Sequence, residues 1–106
     1  MTAAALVAVL LDLASTQSPR FRARAEAVAP VIIAEATRAG LDPVLVAAVA
    51  VAESTLRMDA VGERGEVGIM QLNPRGIGRR IWRDLDVSTL QGNIACGVRA
   101  LVEARG

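Results

Sequence analysis

Apolar side chains recur along this chain with helical spacing, in stretches separated by polar or glycine-rich segments. The first stretch predicts a helix over residues 3–14. The second covers residues 20–39, where Pro30 predicts a kink or a fresh helix start and Gly40 ends the helix. Strand-like alternation of useful length is absent from the sequence, so the pattern predicts a small all-α domain.

The third stretch has the clearest start signal. Asp42 is expected to cap the helix and Pro43 to occupy its first position, where a missing N–H costs nothing. Residues 44–52 are all apolar, and a helix that is apolar on every side is expected to be buried on every side. We therefore expect a buried helix over about residues 43–56 at the centre of the fold.

A glycine-rich segment over residues 57–78 follows and predicts a loop with tight turns. Within it, residues 67–72 are expected to form a short helix that ends before Pro74. The last helix is expected to begin at Ser88, where Gln91 completes a capping box.

Composition narrows the chemistry. The 106 residues predict one domain, and 53% of them are hydrophobic, which excludes a disordered chain. A net charge of +1 argues against nucleic acid as a partner. The chain has no His and no Lys, and its single Cys96 excludes an internal disulfide or a cysteine cluster for zinc. Carboxylates remain for acid–base chemistry, and no metal or organic cofactor is expected.

The apolar run at residues 3–11 is too short to span a bilayer, so no stable membrane insertion is expected. Residues 1–20 are either an extra N-terminal helix with one buried face or a weak signal-like segment.

Glu53 stands apart because it follows the apolar run near the end of the third helix. Desolvation and the negative end of the helix dipole would both favour its protonated form there, which suits a general acid. The alternative is that Glu53 points outward and pairs with Arg57 one turn later.

From Glu53 the chain reads ESTLRMDAVGERGEVGIMQLNP. After Glu53-Ser54, a second motif comprises Gly65, Gly68, Ile69, Met70, Gln71, Leu72 and Pro74. Downstream, Asn93 opens an Asn-Ile-x-x-Gly-x-x-x-Leu segment. With these motifs, the region of about residues 25–104 resembles the soluble lytic transglycosylase (SLT) family, whose members have a lysozyme-like helical domain and cleave peptidoglycan glycan strands.

The resemblance implies that Glu53 is the single catalytic acid/base. It would protonate the glycosidic oxygen between N-acetylmuramic acid and N-acetylglucosamine, and then deprotonate the muramoyl 6-hydroxyl, which closes a 1,6-anhydro ring. The substrate-binding residues it implies are Ser54, Met70, Gln71, Asn73 and Asn93. Each of three residues also has a structural alternative. Met70 could be a core side chain, Gln71 a hydrogen-bond partner within the loop, and Asn93 a helix-packing residue. The substrate would place the protein in the cell envelope, the periplasm or outside the cell.

Other side chains are candidates for the same chemistry. A loop carboxylate opposite Glu53, from Asp59, Glu63 or Glu66, would favour an inverting hydrolase. The alternative for each is a solvated loop charge near Arg57 or Arg64, and a lysozyme-type hydrolase is a further alternative for the chain. Trp82 is a candidate for stacking on a sugar or for a buried anchor. The chain also has a basic cluster, which comprises Arg75, Arg79, Arg80 and Arg83. This cluster either contacts the acidic peptide stems of peptidoglycan or forms a solvated face.

The chain also departs from the family pattern. It has no Tyr, so it lacks the later Ala-Tyr-Asn motif of the family. Gly62 stands where Ser is common, and Glu66 where Ala is usual. These departures leave open a fragment of a longer enzyme, a compact variant that works with a reduced site or completes it by self-association, or an impaired peptidoglycan-binding module. We expect exposed apolar surface, with marginal stability or self-association as its result.

Overall fold

The computed structural model describes residues 1–73 and 85–105. Within these ranges the fold is all-helical, which confirms the predicted fold class. Its helices are α1 (Ala3–Ala14), α2 (Pro19–Ala39), α3 (Pro43–Ser54) and α4 (Leu90–Arg105). None of the helices in the described ranges is both long and apolar enough to cross a membrane.

Local signals fixed the first three helix starts. The side chains of Thr2, Ser18 and Asp42 each accept a hydrogen bond from a backbone N–H in the first turn. The predicted cap at Asp42 is therefore confirmed. Gly40 adopts a left-handed conformation, φ 72°, at the end of α2, as expected. Helix α2 runs unbroken through Pro30, which lies on its exposed face, so a fresh start at this proline is wrong.

Helix α2 occupies the centre of the fold, because it packs against α1, α3 and α4. Helix α3 packs against α1 and α2 with one face only. Its buried residues are Val46, Ala47, Ala50 and Ser54. Leu45 on the same helix is 48% exposed, so the expectation that α3 is buried on every side is wrong. The all-apolar composition indicated burial, but α1 and α2 cover one side of this helix.

The chain changes direction immediately after the end of α3. Helix α3 ends at Ser54 rather than near residue 56, because Thr55 and Leu56 have positive φ angles of 55° and 62°. The short helix expected at residues 67–72 is wrong as well. Reciprocal hydrogen bonds of 3.0 and 3.1 Å between the backbones of Val67 and Leu72 close a tight turn.

Helix α4 begins two residues later than expected. Thr89 precedes it, and its Oγ1 accepts a hydrogen bond from the Gly92 N–H at 3.0 Å. Ser88 does not cap the helix, because its hydroxyl donates a hydrogen bond to Asp86 Oδ1 at 2.6 Å. The capping box predicted from Ser88 and Gln91 is therefore wrong, because Asp86 competes for the serine hydroxyl.

Candidate active site

Glu53 lies in the last turn of α3 with its side chain exposed. Within the described ranges, no residue makes a hydrogen bond or an ion pair with its carboxylate. The burial expected from the apolar run is absent, because Glu53 projects from the uncovered face of α3. The alternative partner Arg57 pairs instead with Asp59, through two contacts of 3.2 Å. This pairing raises the pKa of Arg57 and lowers the pKa of Asp59.

Ser54, the next residue, points into the protein. Its buried hydroxyl donates to the carbonyl oxygen of Ile69 at 2.7 Å, and it accepts a hydrogen bond from the Arg57 N–H at 3.2 Å. The end of α3 is thereby joined to the loop that contains the Met-Gln motif. The placement of Glu53 is coupled to that loop through its neighbour.

Asn93 joins α4 to the same loop. Its side chain is 0% exposed, and its Oδ1 accepts a hydrogen bond from the Met70 N–H at 2.9 Å. Its Nδ2 donates to the carbonyl oxygens of Val67, at 3.1 Å, and Val87, at 3.0 Å. Among the described residues, all the hydrogen bonds of this amide go to backbone groups, which matches the packing role considered as an alternative to substrate contact.

Two glycines make room for this arrangement. A Cβ at Gly68 would collide with the Asn93 amide, and the φ of this glycine is 79°. A Cβ at Gly97 would lie 2.5–2.7 Å from three carbon atoms of Met70. Met70 is therefore buried against α4, as the core alternative for this residue expects. The motif glycines are required at these positions by close approach of side chains.

Gln71 stabilises the turn from within. Its Nε2 donates to the carbonyl oxygens of Ala60, at 3.1 Å, and Gly68, at 2.9 Å. Both N–H groups are thus used by the loop, and within the described ranges its Oε1 receives no donor. Asn73 is half-buried at the end of this described segment.

Gly62 and Glu66, the two loop positions expected to depart from the family pattern, lie in contact. A Cβ at Gly62 would lie 2.5 Å from Glu66 Oε2 and 2.9 Å from Gln71 Oε1. Glu66 Oε1 accepts a hydrogen bond from the Arg64 N–H at 2.8 Å. The glycine provides the space that the glutamate side chain occupies.

The structure thus brings Ser54, Met70, Gln71 and Asn93 together around one loop, with Glu53 beside them at the end of α3. Trp82 and the basic cluster at residues 75–83 lie outside the described residues.

Sequence reasoning missed Thr89 and Asp86, which hold the turn before α4. The Asp-x-Ser sequence was the available signal, because Asp in such a pattern commonly bonds the backbone two residues on. Among the described residues, no cluster of three or more His, Cys, Asp or Glu is placed to hold a metal ion.

Comparison with known proteins gives one match. The family model described as the transglycosylase SLT domain matches residues 30–103. No curated protein and no solved structure matches the chain. The matched region includes Glu53, the Met-Gln loop and most of α4, and it covers well over half of the sequence. The chain therefore belongs to the transglycosylase SLT domain family.

Proposed function

We propose that this chain is a lytic transglycosylase that cleaves peptidoglycan glycan strands between N-acetylmuramic acid and N-acetylglucosamine, with Glu53 as its single acid/base. Membership of the family supports the substrate class and the reaction. The position of Glu53 supports its role. Its carboxyl group is exposed and has no partner among the described residues, while Ser54 beside it is bonded to the Met-Gln loop.

The chemistry needs only one carboxyl group. Protonated Glu53 donates its proton to the glycosidic oxygen as the bond from that oxygen to the muramoyl C1 breaks. The resulting carboxylate takes the proton of the 6-hydroxyl of the same sugar, whose oxygen then bonds to C1. The product is a 1,6-anhydromuramoyl end, and no water is consumed. Because Glu53 is exposed in the free protein, the bound glycan would have to exclude water from its carboxyl group.

The remaining residues divide into two roles in this proposal. Ser54, Met70 and Asn93 are positioning residues, because their buried side chains hold the loop against α3 and α4. Gln71 is a substrate-binding residue through its Oε1, since its N–H groups are used by the loop. Asn73 follows Gln71 by two residues and is proposed to contact the glycan beside it.

Mass spectrometry of the soluble products from purified peptidoglycan tests the proposal. The parent chain and Glu63→Gln, a control at an exposed loop carboxylate, are expected to release anhydromuropeptides. Glu53→Gln, folded by circular dichroism, is expected to release none. Products with reducing ends would replace the proposal with a lysozyme-type hydrolase. Sedimentation of a folded parent chain with peptidoglycan, without soluble products, would identify a binding module instead.

A further inference from the structure

A polar cavity lies near the end of α3, with a volume of about 710 Å³. Its walls come from the first turns of α2 and from the segment that follows α3. The lining residues are Ser18, Arg20, Arg24, Arg57, Met58 and Asp59. Three guanidinium groups and one carboxylate therefore face this cavity, which leaves it with an excess of positive charge.

Arg24 has one donor without an acceptor at the wall of this cavity. Its Nε is buried, and no described residue accepts a hydrogen bond from it. Its guanidinium carbon lies 5.6 Å from the centre of the Phe21 ring, so the side chain is held in place by an aromatic face rather than by an anion. A buried donor without an acceptor is unusual and requires an explanation.

Arg57 and Asp59 indicate which anion suits the cavity. Arg57 holds the Asp59 carboxylate through Nε and Nη2, each at 3.2 Å from one carboxylate oxygen. This two-point geometry is the one that guanidinium and carboxylate groups favour. Arg24 also interacts electrostatically with the Asp59 carboxylate. Its charge lowers the pKa of Asp59, although Arg57 makes the larger contribution.

We propose that this cavity is a binding site for a carboxylate of the substrate, and that it takes the free carboxylates of the peptide stems attached to the glycan. The inference rests on the proposed function, because that function supplies a substrate with peptide carboxylates. Arg20 and Arg24 bind the stem carboxylate in this proposal. Asp59 competes with the stem carboxylate for Arg57. Arg57 is the fourth residue after Glu53, so their Cα atoms lie within about 14 Å of each other. A stem could therefore reach the cavity while its glycan lies at Glu53.

Titration with a soluble muramoyl peptide that has free carboxylates tests this site, with the peptide whose carboxylates are all amidated as the matched ligand. Arg24→Gln and Arg20→Gln are each expected to weaken binding of the acidic peptide roughly tenfold. Arg22→Gln is the control, because this exposed arginine on the same helix does not line the cavity. Asp59→Asn is expected to tighten binding severalfold, since it removes the competing carboxylate.

Equal affinity for the amidated peptide, or an equal effect of Arg22→Gln, would overturn the assignment. Inorganic phosphate tests whether the cavity binds small anions in general rather than peptide carboxylates. If phosphate binds as tightly as the acidic peptide, the site does not select stem carboxylates. Glycan strands without peptides separate this inference from the proposed function. The proposed function requires that the parent chain cleaves these strands and that Glu53→Gln does not, whatever the outcome of the binding experiments.

Discussion

Gly62 and Glu66 are the two loop positions expected to depart from the family pattern, and their contact indicates that they depend on each other. A serine at position 62 would place its Cβ 2.5 Å from Glu66 Oε2. An alanine at position 66 would remove that atom and with it the acceptor for the Arg64 N–H. Glycine here is explained by space rather than by backbone conformation, because its φ is not positive.

Gly62→Ser alone is expected to lower the free energy of unfolding by about 1 kcal/mol, because the flexible end of Glu66 must move away. In the Gly62→Ser, Glu66→Ala double variant most of this cost is expected to disappear, with a coupling energy of up to about 1 kcal/mol, and the contact of 2.9 Å between the new Cβ and Gln71 Oε1 remains. Urea denaturation of the parent, the two single variants and the double variant measures this coupling. Gly62→Ser combined with Glu63→Ala is the control, since Glu63 is not among the atoms near Gly62. Additive effects in the first pair would contradict the compensation.

Residue roles were predictable from sequence only in part. The motifs located Glu53 and the Met-Gln loop. They did not show that the side chains of Ser54, Met70 and Asn93 are buried, because that depends on which backbone groups of distant segments converge. Asn93 bonds Met70, which lies 23 residues earlier in the chain. Helix-periodic patterns carry no information on such contacts.

At the scale of elements, predictions succeeded where the signal is local. The cap at Asp42 and the end of α2 at Gly40 depend on neighbouring residues alone. Residues 67–72 were misread because Gln71 has a φ of 50°, which a helix does not permit and which no sequence rule for glutamine indicates. The half-exposed α3 was misread because its burial is decided by neighbouring helices.

Asn93 is the connection between elements that we expect to matter most for stability. Asn93→Ala is expected to lower the free energy of unfolding by about 3 kcal/mol, at roughly 1 kcal/mol for each of the three hydrogen bonds lost. Such a loss is large beside a total of about 5–15 kcal/mol for a typical domain. Urea denaturation measures it. Gln91→Ala, at an exposed position of the same helix, is expected to change stability by less than about 0.5 kcal/mol. A similarly small effect of Asn93→Ala would mean that the loop is held by other contacts.

The turn before α4 is expected to be sensitive to acid. The hydroxyl and backbone N–H of Ser88 hold the pKa of Asp86 below its usual value of 3.8. A folded-state pKa below the unfolded one means that ionised Asp86 stabilises the fold. This contribution is complete above pH 3.8 and is lost as the pH falls through the lower folded-state pKa.

Asp86→Asn removes that contribution. Its difference in unfolding free energy from the parent is therefore expected to stay constant near neutral pH and to shrink below about pH 4. Thermal unfolding followed at a series of pH values measures the difference. Ser88→Ala is expected to reproduce most of the pH-dependent part, because it removes the hydrogen bond that contributes most to the shift. A Ser88→Ala protein with the acid sensitivity of the parent would contradict this assignment.

At the scale of the whole molecule, the core is continuous through the four helices of the described residues, and fully buried side chains include Leu6, Ile32, Val46 and Ile94. Apolar side chains are also exposed, with Leu45 at 48% and Val61 at 73%. Exposed apolar residues were expected, but such residues are common on soluble proteins and do not by themselves indicate an interface. Self-association of the chain stays a prediction.

Cys96 offers a probe of whether the molecule unfolds as one unit. Its thiol is fully buried on α4, and burial raises its pKa to about 11. Near pH 8, about one such thiol in a thousand would be ionised, and it would still be shielded from a reagent. Labelling in the folded protein therefore requires α4 to open. Because α4 holds the Met-Gln loop through Asn93 and packs on α2, we expect α4 to open only with global unfolding.

The free energy of opening obtained from the rate of thiol labelling is accordingly expected to equal the free energy of global unfolding in urea. Ala34→Cys in a Cys96→Ala background is the control, since position 34 is exposed on α2 and its thiol is expected to react without opening. A labelling free energy several kcal/mol below the global value would mean that α4 detaches on its own. The Met-Gln loop would then lose its attachment to Asn93 in a partly open state, and the proposed site beside Glu53 would be assembled only part of the time.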